Sequence, residues 1–198
     1  MVDLSFPLDL RFKTIAIARQ ISVEDASGRL LWYVKMKAFK LREAVVIFED
    51  REQTRPVFEI QADRVIDIGA NYEIRDAVTH APVGTLHNMG VRSMWRSAYE
   101  LVQGGQVIFK ITEENPWTKV MDGFVRDIPI LGLFAGYVLH PRYLATAGGG
   151  EPALRMRKES AFFEGRYSIE RVAVSATPNE RLLVLGLLML ALLEKDRG

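Results

Sequence analysis

Residues 177–195 read TPNERLLVLGLLMLALLEK, and every position in 182–193 is apolar or glycine. A helix built from such a run has no polar stripe, so none of its faces suits water. The start signal supports a helix. Thr177 is a capping residue, Pro178 suits the first helical position, and Glu180 three residues after Thr177 completes a capping box. These signals predict a helix over 178–195, about 27 Å long at 1.5 Å per residue. Its apolar part spans twelve residues, whereas a bilayer crossing takes about 20. The stretch therefore reads as a buried core helix in preference to a membrane-inserted end. Whatever encloses it must be apolar inside and about one helix wide.

Working outward, the rest of the chain reads mainly as strands. Leu10 and Phe12 alternate with Arg11 and Lys13, and Ile15, Ile17, Ile21 and Val23 continue the β-branched, extended character. A turn at 24–28, EDASG, leads into 30–37, where Trp32, Val34 and Met36 share one face and Tyr33, Lys35 and Lys37 the other. Further strands are predicted over 44–49, 57–62, 64–68, 72–76, 83–87, 98–102, 107–112, 143–146, 153–157 and 167–174. A dozen short strands without alternating helices indicate an antiparallel sandwich or barrel. A sandwich fills its own interior, but a wide closed barrel has a lumen that admits a helix. The predicted architecture is mainly β (α+β): about twelve antiparallel strands closed around a hydrophobic C-terminal helix, as a single domain over 1–198. A strand–turn–strand unit also recurs four times, about Gly28, Thr79 and His80, Gly104 and Gly105, and Gly148 to Gly150. Its spacing is irregular, so it marks repeated hairpins and not a solenoid.

Several features together resemble the LURP-one-related proteins. These are the terminal apolar helix, the turn ISVEDASG at 21–28, YEIRDA at 72–77 followed by Val83 and Gly84, YELV at 99–102, and LRMRK at 154–158 before a last strand. That group is similar to the tubby C-terminal domain and to phospholipid scramblases. The resemblance covers essentially the whole chain and implies a twelve-stranded barrel around a hydrophobic helix. The chain departs from the pattern at Thr79 and His80, where glycine is favoured, and lacks an Asp before Gly104.

The resemblance implies binding rather than catalysis. Tubby domains hold phosphoinositide head groups through basic side chains that alternate along a strand. Here Lys35 and Lys37 alternate on one strand, with Lys40 and Arg42 beyond, and Arg155 and Arg157 alternate on another, with Lys158 following. Alternation puts each pair on one face, where it can meet an anionic head group; equally, such residues form the solvated outside of a barrel. Lys35, Lys37, Arg155 and Arg157 are the candidate ligand-binding residues. A net charge of +1 favours neither nucleic acid nor a membrane by itself, so no nucleic-acid partner is expected. The expected partners are an anionic phospholipid surface or, alternatively, a protein docking near Trp117 and the apolar run IPILGLFAGYVL at 128–139. That run is read as buried at a barrel end, Pro129 and its shortness arguing against a membrane helix.

Other chemistry finds little support. The absence of cysteine excludes disulfides, thiol catalysis and S-acylation. His80, His87 and His140 have no zinc-ligand spacing, and no nucleophile elbow, Walker loop or dinucleotide fingerprint occurs. The acids Glu113, Glu114, Asp122 and Asp127 lack the spacing of an EF-hand loop. No enzyme activity, cofactor or metal is expected. The N-terminal residues lack a basic stretch followed by an apolar one, so a cytoplasmic location, in places peripheral to a membrane, is the expectation.

Overall fold

In a computed structural model the chain is described over residues 4–15, 18–37, 44–64, 70–89, 98–114, 142–159 and 165–197. Twelve antiparallel strands close into one barrel: β1 (Leu8–Ile15), β2 (Ala18–Glu24), β3 (Leu30–Lys37), β4 (Val45–Phe48), β5 (Pro56–Ala62), β6 (Asn71–Asp76), β7 (Pro82–Asn88), β8 (Ala98–Gln103), β9 (Gln106–Glu113), β10 (Arg142–Ala147), β11 (Pro152–Glu159) and β12 (Arg166–Arg171). Each strand pairs with its sequence neighbours, and β1 closes the ring against β12 with Leu8 opposite Ile169 and Leu10 opposite Tyr167. The helix α1 (Glu180–Arg197) fills the lumen. Every residue over 182–193 is buried, and strand residues such as Leu10, Ile21, Val34, Ile60, Ile74, Leu101 and Ile169 turn inward to form one core with it. Alternation thus divides each strand into a wall facing α1 and a wall facing water.

One close approach seats the helix. A Cβ on Gly84 would lie 2.7 Å from Leu182 Cδ2 and 3.0 Å from the Val102 carbonyl, so only glycine on β7 lets Leu182 reach the wall. At Gly186 a Cβ would lie 3.4 Å from Leu101 Cδ1, an ordinary contact, so packing does not require glycine at that position. At the C-terminal end of α1, Tyr143 donates its hydroxyl to Glu194 Oε2 at 2.9 Å. Burial, reinforced by that carboxylate, pushes the Tyr143 phenol well above its ordinary range. Tyr72, Tyr99, Tyr143 and Tyr167 stand second in β6, β8, β10 and β12, and all four are buried. The even strands run parallel to one another, so these rings form a layer at that end of the barrel.

At the opposite end, where α1 begins, acidic side chains organise the turns. Asp25 accepts from the Ser27 and Arg29 amides at 2.9 and 3.0 Å, and Asp50 accepts from the Thr54 and Arg55 amides at 2.9 and 2.8 Å. Asp76 accepts from the Val78 and Thr79 amides at 3.0 and 2.8 Å. A carboxylate that receives such hydrogen bonds stays ionised to lower pH. For Asp25 the largest cause is the Ser27 hydroxyl, for Asp50 the Thr54 amide and for Asp76 the Thr79 amide, and each of the three is held below its ordinary value.

The chain differs from its sequence-based expectations in three places, and a fourth expectation falls mostly outside the described residues. The run from Leu10 to Val23 is two strands: β1 and β2 pair antiparallel with Ile15 opposite Ala18, and no glycine, proline, Asn or Asp marks the reversal. The strand predicted over 64–68 begins with Arg64 in a bend, and 65–69 lie outside the described residues. β12 stops at Arg171 because the Val172 and Ala173 amides both turn to the Ala153 carbonyl, at 2.9 and 3.2 Å, and Val174 is fully exposed. The helix begins at Glu180 and not at 178, because Asn179 has a left-handed φ of 64° that precedes the first helical turn. Half of the capping box still forms, with Glu180 Oε1 accepting from the Thr177 amide at 3.0 Å.

Candidate functional site

The outward faces of β1, β2 and β3 carry a basic surface beside a polar cleft. Cross-strand register builds it. Arg11 stands opposite Ser22 and Ser22 opposite Tyr33; one level along, Lys13 stands opposite Gln20 and Gln20 opposite Lys35. With strands about 4.8 Å apart, Lys13 and Lys35 flank Gln20 at roughly 10 Å from each other. Arg51, from the turn after β4, completes the rim and lies over the Tyr33 ring at 5.9 Å. A polar cleft of about 160 Å³ lies here, lined by Arg11, Lys13, Gln20, Ser22, Glu24, Tyr33 and Arg51, with Lys35 outside its lining on the far side of Gln20. Burial raises the Tyr33 phenol above its ordinary pKa despite the opposing charge of Arg51.

Ion pairing sorts the cations into two kinds. Glu24, nearly buried, accepts from Arg51 at 2.9 Å and lies 3.5 Å from Arg11. Asp9 accepts from Arg11 at 2.9 Å and from Arg166 at 2.6 Å. Burial alone would raise the Asp9 carboxyl, but hydrogen bonds from Arg166 and Arg11 outweigh it and hold the group below its ordinary value. Lys13 and Lys35 are both exposed and have no carboxylate within ion-pair reach among the described residues. The arginines are thus fixed in place as a frame, and the two lysines remain available to an outside anion.

The other predicted pair is differently placed. Arg155 and Arg157 do share the outer face of β11, as alternation requires. Arg155, however, makes a bidentate pair with Glu114 at 3.0 and 3.1 Å, and Arg157 pairs with Glu170 on β12. β11 and β3 are separated by β12, β1 and β2 around the ring, so the two predicted pairs do not converge on one ligand. Lys37 lies on β3 opposite Ala18, whereas Lys40, Arg42, Trp117, Asp122, Asp127 and residues 128–139 lie outside the described residues. No group of acidic or histidine side chains suited to a metal occurs among the described residues. No helix there is long and apolar enough to cross a membrane.

Lys13, Arg11 and Arg51 belong to the cleft although the alternation of 35 and 37 did not select them. Arg11 and Lys13 do alternate on an outward face, so their signal is present in the sequence. Bringing them beside Lys35 requires the β1–β2–β3 register, which depends on the unsignalled reversal between Ile15 and Ala18.

No family model and no curated protein matches this chain. Among solved structures, the X-ray structure of a protein from Arabidopsis thaliana is similar, with a TM-score of 0.51 and 13% identity. The match covers 98% of this chain and 94% of that one. At that identity the likeness is one of fold, and it extends over the whole barrel. A closed twelve-stranded barrel with a C-terminal helix in its lumen fits the tubby-like fold implied by the sequence resemblance.

Proposed function

We propose that this chain is a non-enzymatic binding module of the LURP-one-related kind that holds anionic phospholipid head groups on the outer face of β1–β3. It acts in the cytoplasm, peripheral to the membrane. The observation that carries the reading is the pair Lys13 and Lys35, without carboxylate partners among the described residues, on either side of Gln20 and beside a polar cleft whose arginines are already fixed by Glu24 and Asp9. An anion entering there displaces no existing ion pair. At Arg155 it must first displace a bidentate carboxylate, exchanging one anion for another with little net gain.

The magnitudes suit a weak, reversible membrane contact. Each lysine near an anionic surface contributes about 1 kcal/mol, so losing two weakens partitioning by roughly thirtyfold. Co-sedimentation with phosphatidylcholine vesicles, with and without phosphatidylserine, tests this. Binding should require the anionic lipid, fall as salt rises, and drop about thirtyfold in Lys13→Ala/Lys35→Ala. Arg155→Ala/Arg157→Ala should change it by less than about threefold. Binding that ignores salt, or that is lost with the β11 pair and kept without the lysines, would refute the assignment.

A further inference from the structure

A second site lies at the mouth of the barrel where α1 begins, away from the outer cleft. A cavity of about 710 Å³ opens there between the first turns of the helix and the strand ends, within the range of about 300–1,000 Å³ typical of small-molecule sites. The apolar part of its wall is formed by Leu4, Phe58, Val83, Leu182 and Leu185, and the polar part includes Gln103, Arg171, Glu180 and Arg181. It follows α1 from Glu180 to Leu185, about 7 Å at the helical rise. Val78, Val107, Val172 and Val174, the large apolar residues left exposed among those described, all lie at this same end of the barrel.

One polar group in the cavity lacks what its neighbours have. Glu180 accepts from Arg171 at 2.9 and 2.7 Å and from the Thr177 amide, so its charge is matched. Gln103 is held by donating to the Val83 carbonyl at 3.1 Å. Arg181 instead lies over the Phe58 ring at 5.7 Å, has no carboxylate partner among the described residues, and keeps a buried Nε–H without an acceptor. A buried donor left unmade is destabilising, and a guanidinium fork is shaped for a carboxylate or phosphate. Glu180 makes no hydrogen bond to it; its oxygens accept from Arg171 and from Thr177 instead.

From these observations we infer that the barrel mouth binds a monomeric amphiphile, an apolar chain or ring carrying one acidic head group. The apolar body lies along Val83, Leu182 and Leu185, and the head group accepts from Arg181. The site takes its selectivity from both parts: the walls reject fully polar anions, and Arg181 rejects cationic amphiphiles of the same length.

Calorimetric titration of the intact chain with decanoate, decanol and decylamine tests the inference. Decanoate should bind at a single saturable site, with decanol and decylamine about tenfold or more weaker. Arg181→Met keeps the apolar stem and should bring decanoate down to the level of decanol; Val83→Trp should abolish binding by filling the cavity. Lys13→Glu/Lys35→Glu should leave decanoate affinity unchanged, and a loss there would move the ligand to the outer cleft and overturn the inference. Equal binding of decanoate and decylamine, or full affinity in Arg181→Met, would also overturn it. Should either mouth variant fail to fold, methyl NMR of the unsubstituted chain decides: saturable shifts of Val83, Leu182 and Leu185 support the site. No shifts, or shifts confined to Val78 and Val174, contradict it.

Discussion

His80 shows how a single residue can be strained for the sake of a turn. Its φ is 57°, in the left-handed region, while its amide donates to the Asp76 carbonyl at 2.9 Å. A non-glycine residue in that region costs about 1 kcal/mol or more, and the resemblance to LURP-one-related proteins favours glycine here. His80→Gly should therefore stabilise the chain by about 1 kcal/mol, less the entropy that glycine adds to the unfolded state. Urea unfolding of the two forms measures this. A decrease in stability would mean that the imidazole makes an interaction worth more than the strain. The same scale explains what was legible of the candidate site. Lys35 is visible because alternation marks it as outward; that it lacks an acidic partner among the described residues while Arg155 and Arg157 have one depends on Glu114 and Glu170, which no spacing within β11 reveals.

Among the elements, α1 was the most legible because its composition leaves no alternative. A run with no polar face has to be enclosed, and over 182–193 it is. Its boundary was less legible, since a left-handed Asn179 delays the first turn to Glu180. The first run splits into β1 and β2, β12 stops short of the run expected to reach 174, and the strand expected over 64–68 falls mostly outside the described residues. The first two differences arise where turn chemistry is silent. The chain reverses near Ile15 without a turn residue, and Val172 to Val174 look β-branched but lie beyond the last ladder. The helix also gives the sharpest stability prediction. Leu187 is fully buried, so Leu187→Ala should cost about 2–5 kcal/mol by leaving a cavity. Leu187→Asp should prevent stable folding, because it places an unpaired charge in the lumen. Circular dichroism melts check both; an Asp variant as stable as the parent would put the helix outside the barrel.

For the whole molecule, the barrel divides the work between inside and outside. Closure joins residues far apart in sequence: β1 meets β12, and Arg166 reaches Asp9 at 2.6 Å. That closure could be argued in advance only from the need to enclose α1. It also brings Arg166 and Arg11 onto one carboxylate, which helps fix the frame of the outer cleft. With the core filled by the helix, the surfaces open to a ligand are the outer walls and the mouths. The outer wall of β1–β3 is where two lysines remain free of carboxylates among the described residues. Amide NMR during titration with inositol trisphosphate, a soluble anionic head group, tests that central claim directly. The account predicts saturable shifts at Gln20, Ser22 and Tyr33, weakened by salt, with Arg155 and Arg157 unmoved; shifts centred on β11, or none on β1–β3, would contradict it.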